Sequence, residues 1–348
     1  MIDLRSDTVT EPTKEMREAM AHAVVGDEQK REDPTVSELE ERAAELLGHE
    51  SSTFLPTATM ANQIALRALT EPGDEAIVHA NAHIVRAESG GAAFHSGVTI
   101  KPLNGERGIF NADALRCAVN PNTPRYAHTS IVCIENTHNG GGGKIWPLET
   151  LYELIETARE LNLTTHLDGS RLLNATVSQQ VSAAEIGGLF DTVTLCLSKG
   201  LGCPLGAILA SSNKLAERIW RLKFLFGGAM RQAGIVAAAG IYALENNIER
   251  LIDDHENAKA LAKGFSAVGL PVDVQAVESN FLEIDCQKIG LARKDVIDCL
   301  EKEGVRVSHA ASRETLRAVT HLGINKENVE HAIEAAARAF SSENNHHE

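Results

Sequence analysis

Short apolar runs alternate with longer amphipathic stretches through most of the chain. The runs EAIVH (75–79), VTIKPL (98–103), SIVCIE (130–135), LTTHLD (163–168), TVTLCL (192–197) and GAILAS (206–211) are rich in Val, Ile and Leu and read as strands. Their apolar residues do not alternate cleanly with polar ones, as in strands covered on both faces. The segment LETLYELIETARELN (148–162) repeats with helical spacing and predicts a helix whose apolar face carries Leu148, Leu151, Tyr152 and Ile155. The pattern predicts an α/β fold: a mostly parallel sheet covered by helices. From Leu251 onward it changes to a long helix (LIDDHENAKALAKGFSAVG), FLEIDC, a helix from Lys294, GVRVSHA, RETLRAVTHL and a last helix. We expect an N-terminal segment and large domain over 1–250, a smaller α+β domain over 251–340, and a frayed polar tail over 341–348.

Charge narrows the choice of partner. The 348 residues hold 33 Lys and Arg against 48 Asp and Glu, a net of −15, so no basic field exists to hold nucleic acid or an anionic membrane. Six cysteines without CxxC spacing suggest neither a disulfide framework nor a zinc site. MIDLRSDTVT lacks the layout of a signal peptide, and no run reaches membrane-spanning length. A soluble, cytoplasmic protein is the expectation.

In an open α/β sheet, ligands gather at the C-terminal ends of the strands. Three runs end in chemically capable residues. LTTHLD stops at Asp168, followed by Gly169-Ser170-Arg171; TVTLCL stops at Ser198-Lys199-Gly200; EAIVH leads into Ala80-Asn81-Ala82-His83. An acid, a lysine and an imidazole are what pyridoxal phosphate chemistry requires: an amine for the aldehyde, a carboxylate for the ring nitrogen, a flat group over the ring. Each residue alone reads more plainly as a solvated lysine or a turn-forming aspartate. A glycine after the lysine would let the backbone approach a ligand.

With those residues placed, the chain resembles the low-specificity L-threonine aldolases, fold-type-I, aspartate aminotransferase-like enzymes of the β-eliminating lyase group. The resemblance rests on DLRSDTVTEPTKEM (3–16), EDPTVSELE (32–40), ENTHNGGGGKIWPLE (135–149), HLDGSRLLNA (166–175), CLSKGLGCPLGA (196–207), GGAMRQAGIVAAAGIYALENN (227–247) and AVTHL (318–322). It implies a pyridoxal 5′-phosphate enzyme that cleaves L-threonine, L-allo-threonine and related β-hydroxy-α-amino acids to glycine and an aldehyde. It further implies a homotetramer, a dimer of dimers with sites completed at the dimer interface. By the same resemblance Lys199 is the Schiff-base lysine, Asp168 pairs with the ring nitrogen and His83 stacks on the ring. Arg171 lies beside the cofactor and the substrate carboxylate, Arg317 grips that carboxylate and Ser6 belongs to the N-terminal active-site segment. Thr57, Ala58 and Thr59 form the phosphate turn, completed by Ser198 and by Arg231, the last from a neighbouring subunit. His83 serves as base toward the substrate hydroxyl or only as a stacking ring.

Four positions depart from the family pattern. DEQKREDPT (27–35) stands where the family reads DVYGEDPT, with Lys30 and Arg31 in place of the tyrosine neighbourhood. Ala58 occupies the glycine position of the phosphate turn, where alanine disfavours positive φ. RYAHTS puts Arg125 at a histidine position facing the substrate and His128 at an arginine position. Phe224 takes the place of a lysine near the phosphate, with Lys223 adjacent. Added cations would suit an acidic substrate side chain. The changes equally fit drift, a weakened aldolase, or a different reaction on the same cofactor, whether racemisation, β-elimination or transamination. NGGGGKIW (139–146) fails as a nucleotide loop and reads as a flexible glycine-rich loop; Cys196 and Cys203 read as packing residues; no metal motif appears.

Overall fold

The computed structural model describes residues 1–311 and 314–340; the tail at 341–348 lies outside the described residues. Seven strands form one sheet: β1 (Ser51–Leu55), β2 (Glu75–His79), β3 (Thr99–Leu103), β4 (Thr129–Glu135), β5 (Thr164–Gly169), β6 (Thr192–Cys196) and β7 (Ala207–Ser211). Their order across the sheet is β1-β7-β6-β5-β4-β2-β3. Only β7 runs against its neighbours; the other pairs are parallel. Six of these strands coincide with the apolar runs. β1 escapes the pattern because its first three residues are Ser51, Ser52 and Thr53. Burial of that polar half is supported by the Ser52 hydroxyl, which donates to the Glu40 carbonyl at 2.7 Å.

Helix α1 (Ala58–Leu69) follows β1, capped by the Thr57 side chain, which accepts from the Met60 N–H. Helix α2 (Leu148–Glu160) turns Leu151, Leu154, Ile155 and Ala158 into the core. Tyr152 was expected on that face but lies outside it, with its hydroxyl 2.7 Å from Glu185. One helical step from Leu151 is 100°, enough to carry the ring to water, where its O–H finds a carboxylate.

A second apolar cluster forms around β8 (Phe281–Ile284), β9 (Ser308–His309) and β10 (Leu316–Val319), an antiparallel sheet in the order β9-β10-β8. Helices α3 (Leu251–Ala267) and α4 (Lys326–Ala339) contribute to that cluster. Ile2–Asp3 pairs in parallel with Val305–Arg306, and Leu4 is buried in this C-terminal core. The chain therefore begins inside the C-terminal body and crosses from there to the sheet.

The glycine-rich loop is packed, not free. Gly140 to Gly143 are all buried, and a Cβ on Gly143 would lie 2.8 Å from the Phe281 Cβ. These glycines let the loop pass beneath β8. The glycine after Lys199 is likewise a packing residue: a Cβ on Gly200 would meet Leu251 at 3.0 Å.

Candidate active site

The C-terminal ends of β4, β5 and β6 lie side by side, with Glu135 opposite Asp168 and Asp168 opposite Thr194. Lys199 follows β6 by three residues, near enough to Asp168 and Asp7 to attract both electrostatically. His83 opens a helical turn beyond β2. The three residues singled out at strand ends thus share one end of the sheet.

Asp168 is 1% exposed and accepts from Asn62 Nδ2 at 2.9 Å and from the Ser170 N–H at 3.1 Å. Burial alone would raise its pKa, but His83, Lys199 and the Ser170 bond outweigh burial and hold the carboxyl below its ordinary value. His83 Nδ1 lies 2.7 Å from Glu88 Oε1. That contact raises the imidazole pKa against the opposing effect of burial, with Asp168 adding to the rise. A carboxylate at Nδ1 makes Nδ1 the donor, so neutral His83 carries its free lone pair on Nε2. The His83 backbone N–H donates to Glu135 Oε2 at 2.6 Å, and Asn139 N–H donates to Oε1 at 2.7 Å. Burial and the charge of Asp168 push the Glu135 carboxyl up to about 7.

Arg171 is buried and its fork is closed on Asp7: Nε reaches Oδ2 at 2.7 Å and Nη2 reaches Oδ1 at 2.6 Å. Asp7 is held far below the carboxylate range because Arg171 overcomes the effect of burial. Ser6 is 8% exposed, accepts from the Thr8 N–H, and lies 3.4 Å from Asp7 Oδ1. Arg317 of β10 donates from Nη1 to Asn139 Oδ1 at 2.8 Å and from Nε to Ser308 Oγ at 3.1 Å. Arg171 and Arg317 both stand over the Phe281 ring, with Cζ 4.8 and 5.7 Å from its centre. The two arginines named from sequence therefore meet, but with unequal freedom.

The remaining residues are more dispersed. Thr57, Thr59 and Gln63 line a cavity of about 600 Å³ beside Phe94, Leu225 and Phe226. Ala58 is the first residue of α1 and does not have a positive φ, so glycine is not required there. The Ser198 hydroxyl lies 3.5 Å from Cys196 Sγ. Arg231 is 62% exposed and pairs with Asp27 at 3.1 Å. Arg125 is exposed in the loop before β4, at the end of the strand opposite Glu135. A seven-residue strand spans about 23 Å, so Arg125 does not reach Asp168 within its own chain. Lys223 points inward to a buried ion pair with Glu28, while Phe224 is 43% exposed. Lys30 and Arg31 are exposed, and Arg31 pairs with Glu217. Cys196 and Cys203 are both buried, and burial pushes the Cys203 thiol up, which suits packing better than reactivity.

Asp7, Asn62, Glu88, Glu135, Asn139 and His166 complete the site and were not singled out from sequence. The adjacent amides Asn62-Gln63, beside the apolar Ala61, Ile64, Ala65 and Leu66 of one helix, were the available signal.

An aspartate held ionised in the interior needs a cation or a strong N–H donor before it, and among the described residues Asp168 accepts from two N–H donors. Thr194, on the same face beside it, has a buried hydroxyl without a hydrogen-bond partner among the described residues. A protonated aromatic nitrogen fits that donor set. The chain is similar to known proteins over nearly its whole length. Low specificity L-threonine aldolase of Escherichia coli K12 is 40% identical over 98% of this chain and 99% of its own. Probable low-specificity L-threonine aldolase 2 of Arabidopsis thaliana is 37% identical over 98% of each chain. The solved structure of Leishmania major threonine aldolase covers 98% of this chain and all of its own at a TM-score of 0.84; at 18% identity, that likeness shows the fold. The profile of the β-eliminating lyases matches residues 3–287, and with Asp168, Lys199 and His83 gathered at one sheet end, the chain belongs to that family.

Proposed function

We propose that this protein is a pyridoxal phosphate-dependent aldolase, a carbon–carbon lyase that converts L-threonine, L-allo-threonine and related β-hydroxy-α-amino acids to glycine and an aldehyde. The observation that carries the reading is the buried, ionised Asp168 flanked by His83 and Lys199. When bound, pyridoxal phosphate supplies an electron sink for the pair released as the carbon–carbon bond breaks.

The chain's residues do the rest. Lys199 supplies the amine that anchors the cofactor aldehyde, and Asp168 keeps a proton on the ring nitrogen. The start of α1, with Thr57 and Thr59, offers N–H and O–H donors to a phosphate, and Ser198 adds a hydroxyl. Arg171 is occupied by Asp7, so it holds the site's floor, and Arg317 is the arginine better placed to take the substrate carboxylate. Ser6 lines the same wall. His83 is the base: its Nδ1 is committed to Glu88, leaving Nε2 to accept the hydroxyl proton.

Phe94 is 85% exposed and Leu225 75% exposed beside the Thr57–Thr59 turn, a wet apolar rim that assembly would cover. We take the protein to act as a homotetramer, a dimer of dimers, in which Arg231 and Arg125 approach the site of a second copy. We take the chain to divide into a large domain over 1–250 and a small one over 251–340; the C-terminal apolar cluster, which also takes in Ile2 and Leu4, supports that division. No described helix is long and apolar enough to cross a membrane. Six unpaired cysteines support the cytoplasm as its compartment.

The test is aldehyde release by the purified, cofactor-supplemented protein from L-threonine, L-allo-threonine, phenylserine, 3-hydroxyaspartate and serine. Glycine and aldehyde in equal amounts establish the aldolase, and the ranking shows whether the basic substitutions favour acidic side chains. Silence across the panel with the cofactor bound overturns the reading in favour of another reaction on the same fold.

A further inference from the structure

Asn62 stands between two carboxylates. Its Nδ2 lies 2.8 Å from Glu88 Oε1 and 2.9 Å from Asp168 Oδ2, so each amide hydrogen serves one acid. Its Oδ1 therefore faces the third neighbour, His166 Nε2, at 3.1 Å. An amide oxygen only accepts, which makes His166 Nε2 the protonated nitrogen. His166 Nδ1 then accepts from the Thr192 hydroxyl at 2.9 Å. Burial presses the His166 pKa down to about 4, so the ring is neutral and this tautomer is the one that matters. From Thr192 through His166 to Asn62, every donor points the same way, toward the two acids.

The acid atoms of Glu88 and Asp168 and the nearest His83 nitrogen all lie within 4.8 Å of one another. Two carboxylates that close tend to share a proton. Gln63 Nε2 donates to Glu88 Oε2 at 2.6 Å, and His83 occupies Glu88 Oε1, so Glu88 already has donors of its own. Among the described residues, Asp168 has Ser170 as its one N–H donor besides Asn62. We propose that Asn62, oriented by His166, is a positioning residue that gives each acid its own N–H and thereby keeps Asp168 free of a proton for the cofactor ring. The assignment rests on the reading of Asp168 as the ring-nitrogen partner.

The groups that face this cluster are Asp168 and His166 on β5, Glu135 and Cys133 on β4, Glu88 and His83 after β2, and Lys199 after β6. Substitution at Asn62 tests the proposal through cofactor affinity rather than turnover. The full-length apo chain and its Asn62→Leu and Asn62→Asp variants are titrated with pyridoxal phosphate by absorbance at pH 6, 7 and 8, with folding followed by circular dichroism. Leu removes both N–H groups. Affinity is expected to fall about 10- to 100-fold, and the loss relative to wild type is greater at pH 6, where the two acids capture a proton. Asp keeps the volume but adds a third acid. Its loss is likewise expected to be greater at pH 6, because a third carboxyl helps Asp168 hold a proton, whereas at pH 8 the ionised acids attract a cationic ring.

A loss that deepens from pH 8 to pH 6 in both variants establishes the assignment. Wild-type affinity and pH trend in either folded variant overturn it. Should Asn62→Leu fail to fold, the near-isosteric Asp variant decides alone. Absence of cofactor binding by the wild type sinks the cofactor reading itself, which separates that failure from this one.

Discussion

Arg171 and Asp7, 164 residues apart in sequence, meet as a two-pronged ion pair with both groups buried. The contact joins the N-terminal segment, which starts inside the C-terminal body, to the end of β5. Removing one partner strands the other's charge in the interior. Asp7→Ala is expected to destabilise the protein by about 3–5 kcal/mol in urea or thermal unfolding. The sign with pH follows from the depressed carboxyl: this contribution is complete above the ordinary aspartate pKa of 3.8 and is lost as the pH falls below it. The Asp7→Ala penalty should therefore shrink in acid. A penalty independent of pH would show that packing, not the charge pair, holds the segment.

Lys199→Ala is expected to lose the yellow, borohydride-reducible chromophore and at least about three orders of magnitude in activity. Absorbance of the cofactor-loaded protein before and after reduction is the measurement. A reducible chromophore surviving in the variant would place the anchoring amine elsewhere.

Glu88 is the main cause of the raised His83 pKa. If neutral His83 takes the hydroxyl proton, kcat/KM falls on the acid side through an apparent pKa above the ordinary histidine value of 6.5. Glu88→Gln should move that limb to lower pH and reduce kcat by about 10- to 100-fold through lost ring orientation. His83→Phe, which keeps a flat ring, should lose the limb altogether. Activity of His83→Phe within a few-fold of wild type would leave His83 a stacking role only.

Lys223 and Glu28 form a buried pair away from Asp168, with Glu28 Oε2 also accepting from the Met230 N–H at 2.6 Å. Lys223→Met alone is expected to cost about 3–5 kcal/mol, and adding Glu28→Gln to recover much of it. A double-mutant cycle in denaturant measures the coupling. The same cycle shows whether Lys223 is structural, since a cofactor role would weaken pyridoxal phosphate binding in both the single and the double variant.

The parallel strands were legible because burial on both faces demands unbroken apolar runs, and the polar residues that stop those runs pointed to Asp168, Lys199 and His83, even though Asp168 itself stays buried. The family blocks added Arg171, Arg317 and the Thr57–Thr59 turn. What sequence order could not show was which polar groups the fold would spend on one another. Arg171 reads as a free substrate clamp until Asp7 is found in its fork. Lys223 reads as a neighbour of the phosphate turn until Glu28 claims it. Ala58 reads as a strained substitute until its place at a helix start removes the need for glycine. Asn62, Glu88 and His166 lie on three different elements, and nothing local marks them as partners. Periodicity along a chain reports burial, which is a property of one residue and its immediate neighbours. Hydrogen-bond satisfaction in the interior is settled between segments far apart in sequence, and so only the tertiary structure decided which charges face the substrate and which hold the site together.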